Sequence, residues 1–199
     1  MKRLCCAARE VLVWAGVTVG LLANLAPAGG QAAPSASSGR ARIEAVRTDQ
    51  APRVDGLLDE PIWQRAQFSR DFVQRDPREG EAATQRTEFA FVYTDDALYV
   101  GARMQETEGE VRALVTRRDR EETSDQLLIS LDTYRDQRTA YTFGVTAAGV
   151  RIDYYHSGDF EGQREYGYDP VWQAQTNVDS AGWTAEIRIP FAQLRFNAL

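Results

Sequence analysis

The chain has 199 residues, with 23 basic and 29 acidic side chains and a net charge of −6. This acidic balance argues against nucleic acid or an anionic membrane surface as a partner. His156 is the only histidine, so a site of clustered histidine metal ligands is excluded, and a Ser-His-Asp triad has a single candidate base.

Residues 1–32 have the pattern of a secretory signal peptide. Lys2 and Arg3 precede an uncharged, largely apolar run at residues 11–23, which is too short to span a bilayer, and small residues follow. Two cleavage sites fit, at residues 26–28 and 30–32. We therefore predict an exported protein that is periplasmic, outer-membrane-associated or secreted.

Cleavage after residue 32 would remove Cys5 and Cys6, which are the only cysteines in the chain. The exported domain would then have no disulfide or thiolate chemistry, and its stability would come from its core. It would keep 20 basic and 28 acidic residues, a net charge of −8. Residues 33–46 have the composition of a flexible linker with a candidate edge strand at its end, and residues 47–199 form one folded domain.

The folded sequence begins with a turn and a short helix. Asp55-Gly56 is a turn signal, Asp59 is a candidate N-cap, and Pro61 suits the first helical position. The helix would carry Trp63, which we interpret as a core anchor that closes one end of the fold.

The remaining sequence reads as short β-strands. Residues 68–73 are a candidate strand. Alternating runs at residues 87–93 and 98–105, and again at 139–147 and 150–155, predict two hairpins. The apolar run at residues 127–131 indicates a strand buried on both faces at the centre of the fold. Residues 171–178 and 183–189 are further strands, the second with Trp183 as a core anchor. This pattern predicts an all-β fold, an antiparallel β-sandwich with one or two short helices.

The C-terminal residues 191–196 read as a turn followed by the start of another strand. A sandwich that ended there would expose an open sheet edge. We therefore expect the β-sandwich to be incomplete at its C-terminal end, with further strands after Leu199.

Four segments, in this order and spacing, resemble the carbohydrate-binding module family 9. They are residues 54–63 (Val-Asp-Gly-Leu-Leu-Asp-Glu-Pro-Ile-Trp), 93–100 (Tyr-Thr-Asp-Asp-Ala-Leu-Tyr-Val), 124–132 (Ser-Asp-Gln-Leu-Leu-Ile-Ser-Leu-Asp) and 182–191 (Gly-Trp-Thr-Ala-Glu-Ile-Arg-Ile-Pro-Phe). The resemblance covers about residues 47–199. It extends to the branch in which such a module precedes an outer-membrane β-barrel region of unknown function, where Ile-Pro-Phe and Leu-Arg-Phe, here residues 189–191 and 194–196, are typical.

The resemblance implies an exported β-sandwich that binds polysaccharide or oligosaccharide without catalysis and takes part in carbohydrate catabolism. Such modules are often attached to enzymes that hydrolyse O-glycosyl bonds, and in this branch a C-terminal outer-membrane barrel is the implied partner. Sugar-binding members clamp a terminal sugar between two tryptophans. Residues 119–125, where one of them is expected, contain no aromatic side chain, so we transfer no clamp residue to this sequence.

Residues 153–172 are the best candidate for a ligand site, because they combine aromatic rings for the C–H face of a sugar with polar groups for its hydroxyls. A structural role is the alternative. By alternation Tyr154 belongs to a core face, Trp172 packs between sheets, and the loop tyrosines cover an edge. The candidate ligand-binding residues are Tyr155, His156, Arg164, Tyr166, Tyr168 and Trp172.

Other functions remain open from the sequence. No cofactor is implied, although calcium is an alternative because several aspartates offer oxygen ligands. A glycoside hydrolase would need two carboxylates flanking a cleft, and the sequence does not identify such a pair. A third alternative is a structural or interaction domain of a barrel protein without sugar affinity. The aspartates that offer oxygen ligands for calcium are Asp95, Asp96, Asp119, Asp125 and Asp132.

Overall fold

A computed structural model of the chain describes residues 42–107, 110–120, 124–158 and 162–196. The predicted signal peptide, most of the predicted linker and residues 197–199 lie outside these ranges. Within them the fold is nearly all β, which confirms the predicted class. None of the helices found in these ranges is long and apolar enough to cross a membrane.

In the described residues, nine strands form two sheets. Strands β1, β2, β3, β9 and β8 lie side by side in that order in a five-stranded sheet, and β4, β5, β6 and β7 form a four-stranded sheet. The elements are β1 (Val46–Arg47), α1 (Pro61–Arg65), β2 (Thr87–Tyr93), β3 (Ala97–Gln105), β4 (Gln126–Leu131), β5 (Ala140–Thr146), β6 (Arg151–His156), β7 (Arg164–Glu165), β8 (Gln173–Asp179) and β9 (Gly182–Pro190), followed by a 3₁₀ turn at Phe191–Gln193.

The predicted hairpins are present. Strands β2 and β3 pair antiparallel with Phe91 opposite Val100, and β5 and β6 pair with Phe143 opposite Asp153. A third antiparallel pair joins the whole of β8 to residues 182–188 of β9. The short polar turns and the apolar pattern together set the register. A slip of one residue would move every apolar side chain to the other face of its sheet. The β1–β2 pairing is parallel.

The core lies between the two sheets. We call the face of a sheet that points toward the other sheet its inner face, and the opposite face its outer face. Trp183 belongs to this core, as predicted. The buried core side chains include Phe89, Val100, Ala102, Leu127, Ile129, Tyr141, Phe143, Val145, Trp172, Trp183, Ala185, Ile187 and Ile189.

Three details differ from the sequence-based prediction. Strand β4 is buried on both faces as expected, but it lies at an edge of the four-stranded sheet and not at its centre. Residues 68–73 make only isolated bridges, from Ser69 to Phe89 and from Val73 to Ala82, so they are not a continuous strand. Residues 194–196 following the 3₁₀ turn are irregular and do not begin a strand.

The N-terminal segment, residues 55–66, covers the outer face of the five-stranded sheet. Leu58, Ile62 and Trp63 are buried there in a cluster separate from the core. Gly101 makes room for them, because a Cβ at this position would stand 2.6 Å from Leu58 Cδ2 and 2.9 Å from Trp63 Cζ3. Trp63 therefore packs over the middle of β3, which corrects the expectation that it closes one end of the fold.

Glu186 of β9 fastens this segment to the sheet. It is 1% exposed, and its carboxylate accepts hydrogen bonds from Trp63 Nε1 at 2.8 Å, Gly56 N at 2.7 Å and Asp55 N at 2.9 Å. A buried charge is costly unless it is hydrogen-bonded, and the three N–H donors offset part of that cost. Gly56 has φ +86°, and a Cβ there would stand 2.9 Å from the backbone of Thr176, so the close approach needs glycine.

The helix begins at Pro61, as predicted, but its N-cap is Glu60 and not Asp59. No side chain caps the helix. Instead, Glu60 Oε1 accepts a hydrogen bond from Arg53 N at 2.8 Å. The packing of Trp63 and the bonds to Glu186 therefore hold this single turn in place, since an isolated turn is unstable in water.

Replacing Trp63 by alanine should lower the free energy of unfolding by about 3–5 kcal/mol, because the change removes a large buried ring and leaves a cavity. Trp63→Phe keeps most of the apolar contact but removes the indole donor to Glu186, so a smaller loss of about 1–3 kcal/mol is expected. Denaturant unfolding measures both. An unchanged unfolding midpoint for Trp63→Ala would contradict this assignment.

Glu186 should make stability depend on pH. Burial raises the pKa of this carboxyl above the ordinary 4.5, against the opposing effect of its hydrogen bonds to Asp55, Gly56 and Trp63. The folded state therefore binds a proton more readily than the unfolded chain. Relative to a Glu186→Gln variant, the wild-type protein should gain stability as the pH falls from neutral toward 4.5, with no further gain below it.

Unfolding curves of both proteins across this pH range measure the difference. Other titrating groups contribute to both proteins, so the Glu186→Gln variant serves as the control for them. A difference that instead grew in favour of the wild type as the pH rose would mean that the hydrogen bonds outweigh burial.

Candidate functional site

The predicted site segment is divided between the two faces of the four-stranded sheet. Strand β6 carries Arg151, Asp153 and Tyr155 opposite the core residues Val145, Phe143 and Tyr141 of β5. These three side chains therefore belong to the inner face. The alternate residues of β6, Tyr154 among them, belong to the outer face. Tyr154 is buried there with Leu128 and Ile152, which confirms that it belongs to a core face, although this core is a small cluster on the outer side of the sheet.

Asp153 lies on the inner face although it is polar, because hydrogen bonds satisfy its carboxylate there. It is 1% exposed and accepts hydrogen bonds from Trp172 Nε1 at 3.0 Å and from Arg118 Nη2 at 2.6 Å. Burial raises the pKa of Asp153, while the bonds to Arg118 and Trp172 act in the opposite direction. Arg118 also contacts Asp169 at 2.7 Å. This network satisfies the polar groups of β6 and lets the strand turn its polar side inward.

Three of the six predicted site residues, Tyr155, Tyr168 and Trp172, lie against the inner core. The ring centroids of Tyr155 and Tyr168 lie 4.9 and 5.1 Å from that of Tyr141, and Trp172 packs edge-to-face on Phe143. Burial raises the pKa of Tyr168, whose hydroxyl donates to Gln193 O at 2.8 Å. These contacts are those of packed core side chains.

The other three, His156, Arg164 and Tyr166, gather around Tyr154 on the outer face. The centroid of the Tyr154 ring lies 5.0 Å from that of His156 and 5.4 Å from that of Tyr166. The guanidinium carbon of Arg164 lies 4.9 Å from the Tyr154 centroid. The Tyr154 ring is buried beneath them, whereas Tyr166 is 43% exposed. We call these four residues the aromatic cluster.

Polar side chains from neighbouring strands share this face. Thr142 of β5 stands opposite Tyr154, and Ser130 of β4 stands opposite Thr142. Their hydroxyl oxygens lie 2.8 Å apart. Sequence reasoning missed Tyr154, Thr142 and Ser130 as members of this face. The polar residues Arg151 and Asp153 were the available signal, since they alternate with Ile152 and Tyr154.

A cavity of about 40 Å³ lies between Gln85, Thr87, Met104 and Trp183, at one end of the sandwich. This volume has room for ordered water. Ligand pockets that enclose small molecules are typically several hundred cubic ångströms. The cavity is therefore too small to enclose a sugar.

The aspartates considered for calcium are engaged separately in the described parts of the chain, where no group of three or more His, Cys, Asp or Glu side chains is placed to hold a metal ion. Asp95 and Asp96 pair with Arg47 and Arg188. The other three accept backbone hydrogen bonds, Asp119 from Asp153 N, Asp125 from Arg112 N, and Asp132 from residues 136 and 137.

No protein-family model matches the chain, and the curated proteins contain no significant match. Solved structures do match. A family 9 carbohydrate-binding module from Caldicellulosiruptor kristjanssonii in complex with glucose superposes with a TM-score of 0.54 at 16% identity, over 79% of this chain and 73% of that chain. A family 9 carbohydrate-binding module from the same organism in complex with cellotriose superposes with a TM-score of 0.48 at 17% identity, over 75% of this chain and 67% of that chain.

A candidate carbohydrate-binding protein from Bacteroides uniformis ATCC 8492 superposes with a TM-score of 0.54 at 14% identity, over 76% of this chain and 72% of that chain. At these identities the similarity concerns the fold. The described residues, with two sheets and one short helix, are consistent with a β-sandwich of this kind. The chain therefore has the two-sheet β-sandwich fold of the family 9 carbohydrate-binding modules.

Proposed function

We propose that this domain binds carbohydrate without catalysis, at the aromatic cluster on the outer face of the four-stranded sheet. The observation that carries the proposal is the arrangement of Tyr166, which is 43% exposed and packs against the Tyr154 ring at a centroid distance of 5.4 Å. An exposed aromatic ring supported from below is a rigid platform. Such a platform suits the apolar C–H face of a sugar ring.

The remaining members of the cluster supply polar groups. Arg164 carries a guanidinium with several N–H donors, and its position over Tyr154 orients it. His156 pairs with Arg164 across β6 and β7, so the two side chains occupy the same row of the sheet. Donors beside a ring match the alternation of C–H and hydroxyl groups on a sugar. Rings and donors suit binding, whereas glycoside hydrolysis requires two carboxylates.

The fold likeness supports the same ligand class. One of the structures that superposes on this chain is a carbohydrate-binding module in complex with glucose. Fold alone does not determine function, and the proposal therefore rests on the aromatic cluster and takes its ligand class from the likeness.

The proposal includes export. The basic start and apolar run of residues 1–32 favour secretion to the periplasm, the outer membrane or the exterior. In that setting the domain would recognise polysaccharide or oligosaccharide and serve carbohydrate catabolism. An attached glycosidase or an outer-membrane barrel are both compatible partners for such a module.

Tyr166→Ala should weaken glycan binding by about tenfold or more, equivalent to about 1.4 kcal/mol, because it removes the exposed platform. Arg164→Gln should also weaken it, through the lost donors. A glycan array identifies the bound sugars, and calorimetry with the best of them measures the affinities. The thermal midpoint of Tyr166→Ala should fall by only a few degrees, because the change removes one aromatic contact with Tyr154 from a side chain that is 43% exposed.

Three control variants test the location of the site. Phe196→Ala removes an exposed ring outside the cluster, Arg53→Gln removes an exposed guanidinium outside it, and both should bind like the wild type. Tyr168→Phe loses the bond to Gln193 O, so it should cost about 1 kcal/mol of stability and leave affinity unchanged.

Absence of any retained glycan on the array would overturn the proposed function. Loss of binding in Tyr168→Phe with intact Tyr166→Ala would move the site to the inner face. Turnover of a glycan by the purified protein, lost on acid-to-amide substitution, would instead identify an enzyme.

A further inference from the structure

A cluster of three arginines surrounds one carboxylate on the outer face of the five-stranded sheet. Glu88 of β2 is 8% exposed. Its Oε2 accepts hydrogen bonds from Arg70 Nε at 2.7 Å and Arg86 Nη2 at 3.0 Å, and its Oε1 from Arg103 Nη1 at 3.4 Å. We call Arg70, Arg86 and Arg103 the arginine cluster. It lies on the other sheet from the aromatic cluster, on the opposite side of the sandwich.

The cluster is locally basic in an acidic protein. Burial would raise the pKa of Glu88, but the hydrogen bonds from Arg70 and Arg86 outweigh burial and hold its pKa below the ordinary value. Glu88 is therefore ionised at neutral pH, and it neutralises only one of three guanidinium charges. The chain as a whole carries a net charge of −6. Together these four side chains carry three positive charges and one negative charge.

The arginines use few of their donors on protein acceptors in the described residues. A guanidinium carries five N–H donors. In the described residues, Arg70 and Arg86 each place one on Glu88, and Arg103 places one on Glu88 and one on Leu58 O at 3.5 Å. The side chains of Arg70, Arg86 and Arg103 are 60%, 48% and 39% exposed.

The guanidinium groups are also held in position. The guanidinium carbon of Arg103 lies 4.7 Å from the centroid of the Phe68 ring, and Glu88 ties all three groups to one point. Guanidinium groups fixed in this way bind planar oxyanions well, because two parallel N–H donors match the two oxygens of a carboxylate. Holding the side chains beforehand lowers the entropy cost of binding.

We propose that the arginine cluster is a second binding site, specific for the carboxylate of uronic acid residues in an acidic polysaccharide. The choice of a sugar rests on the proposed function. The carboxylate is selected by the planar donors, and a polymer with one charge per sugar suits a small positive patch on an acidic protein.

Affinity electrophoresis and calorimetry with polygalacturonate test this proposal. The double variant Arg70→Gln, Arg86→Gln should bind this polymer about tenfold or more weakly than the wild type, with a smaller dependence on salt. Arg103 remains to neutralise Glu88 in this variant, so the fold should persist, which the thermal midpoint checks. If the double variant fails to fold, Arg86→Lys replaces it, and a loss of severalfold is expected because lysine keeps the charge but not the planar fork.

Arg42→Gln with Arg53→Gln is the matched control, since it removes the same charge from side chains that are 80% and 83% exposed and lie outside the cluster. Its affinity for polygalacturonate should equal that of the wild type. An equal loss in the control, or no binding by the wild type, would overturn the proposal. Binding of heparin without binding of polygalacturonate would overturn the assignment to carboxylates.

The two sites are separable. Tyr166→Ala should leave polygalacturonate binding unchanged, and the arginine double variant should leave neutral glycan binding unchanged. Loss of polygalacturonate binding in Tyr166→Ala would place the acidic ligand on the aromatic cluster and overturn a second site. Binding of polygalacturonate through the arginines, with no neutral glycan bound, would sink the proposed function and support the arginine cluster alone.

Discussion

The buried carboxylate of Glu186 is the interaction on which the outer layer of this domain depends. It gathers two backbone amides and the Trp63 indole from a segment more than a hundred residues away in sequence. The sheet accommodates this segment because Gly101, opposite Glu186 on β3, has no side chain. A five-turn helix could hold itself in place, but a single turn cannot, so the bonds to Glu186 and the burial of Trp63 provide the stability that local structure lacks.

Asp153 has a comparable role in the other sheet, and it determines where the candidate site lies. Its carboxylate accepts from the Trp172 indole and from Arg118 within the core. Because β6 turns Asp153 inward, strand alternation turns Tyr154 and His156 outward. The aromatic cluster thus exists on the surface because a charged network is buried on the reverse side of the same strand. Each sheet therefore has one buried carboxylate that is hydrogen-bonded to a tryptophan indole, and an outer face that carries one of the two proposed sites.

The two outer faces differ in that chemistry. The four-stranded sheet presents rings and donors around Tyr154, while the five-stranded sheet presents arginines around Glu88. A ring platform is suited to neutral sugar surface, and the guanidinium groups are suited to a carboxylate. A β-sandwich offers two outer faces because its inner faces form the core. A domain with both proposed sites could bind a polysaccharide that carries neutral and acidic residues.

The sequence by itself determined the fold class, the two predicted hairpins and the burial of Trp63 and Trp183, because strand alternation and turn residues act over short distances. For Trp172 it left a ligand-binding role and packing between the sheets as alternatives. It also identified the segment that contains His156, Arg164 and Tyr166. Only the tertiary structure decided which face each side chain occupies. Alternation placed Tyr154 and Ile152 on one buried face, but it did not say which sheet face this is. The hydrogen bonds of Asp153 with Arg118 and Trp172 place Asp153 between the sheets and Tyr154 on the outer side. Such pairings join residues far apart in the chain, and their energies depend on burial and geometry that no local pattern encodes.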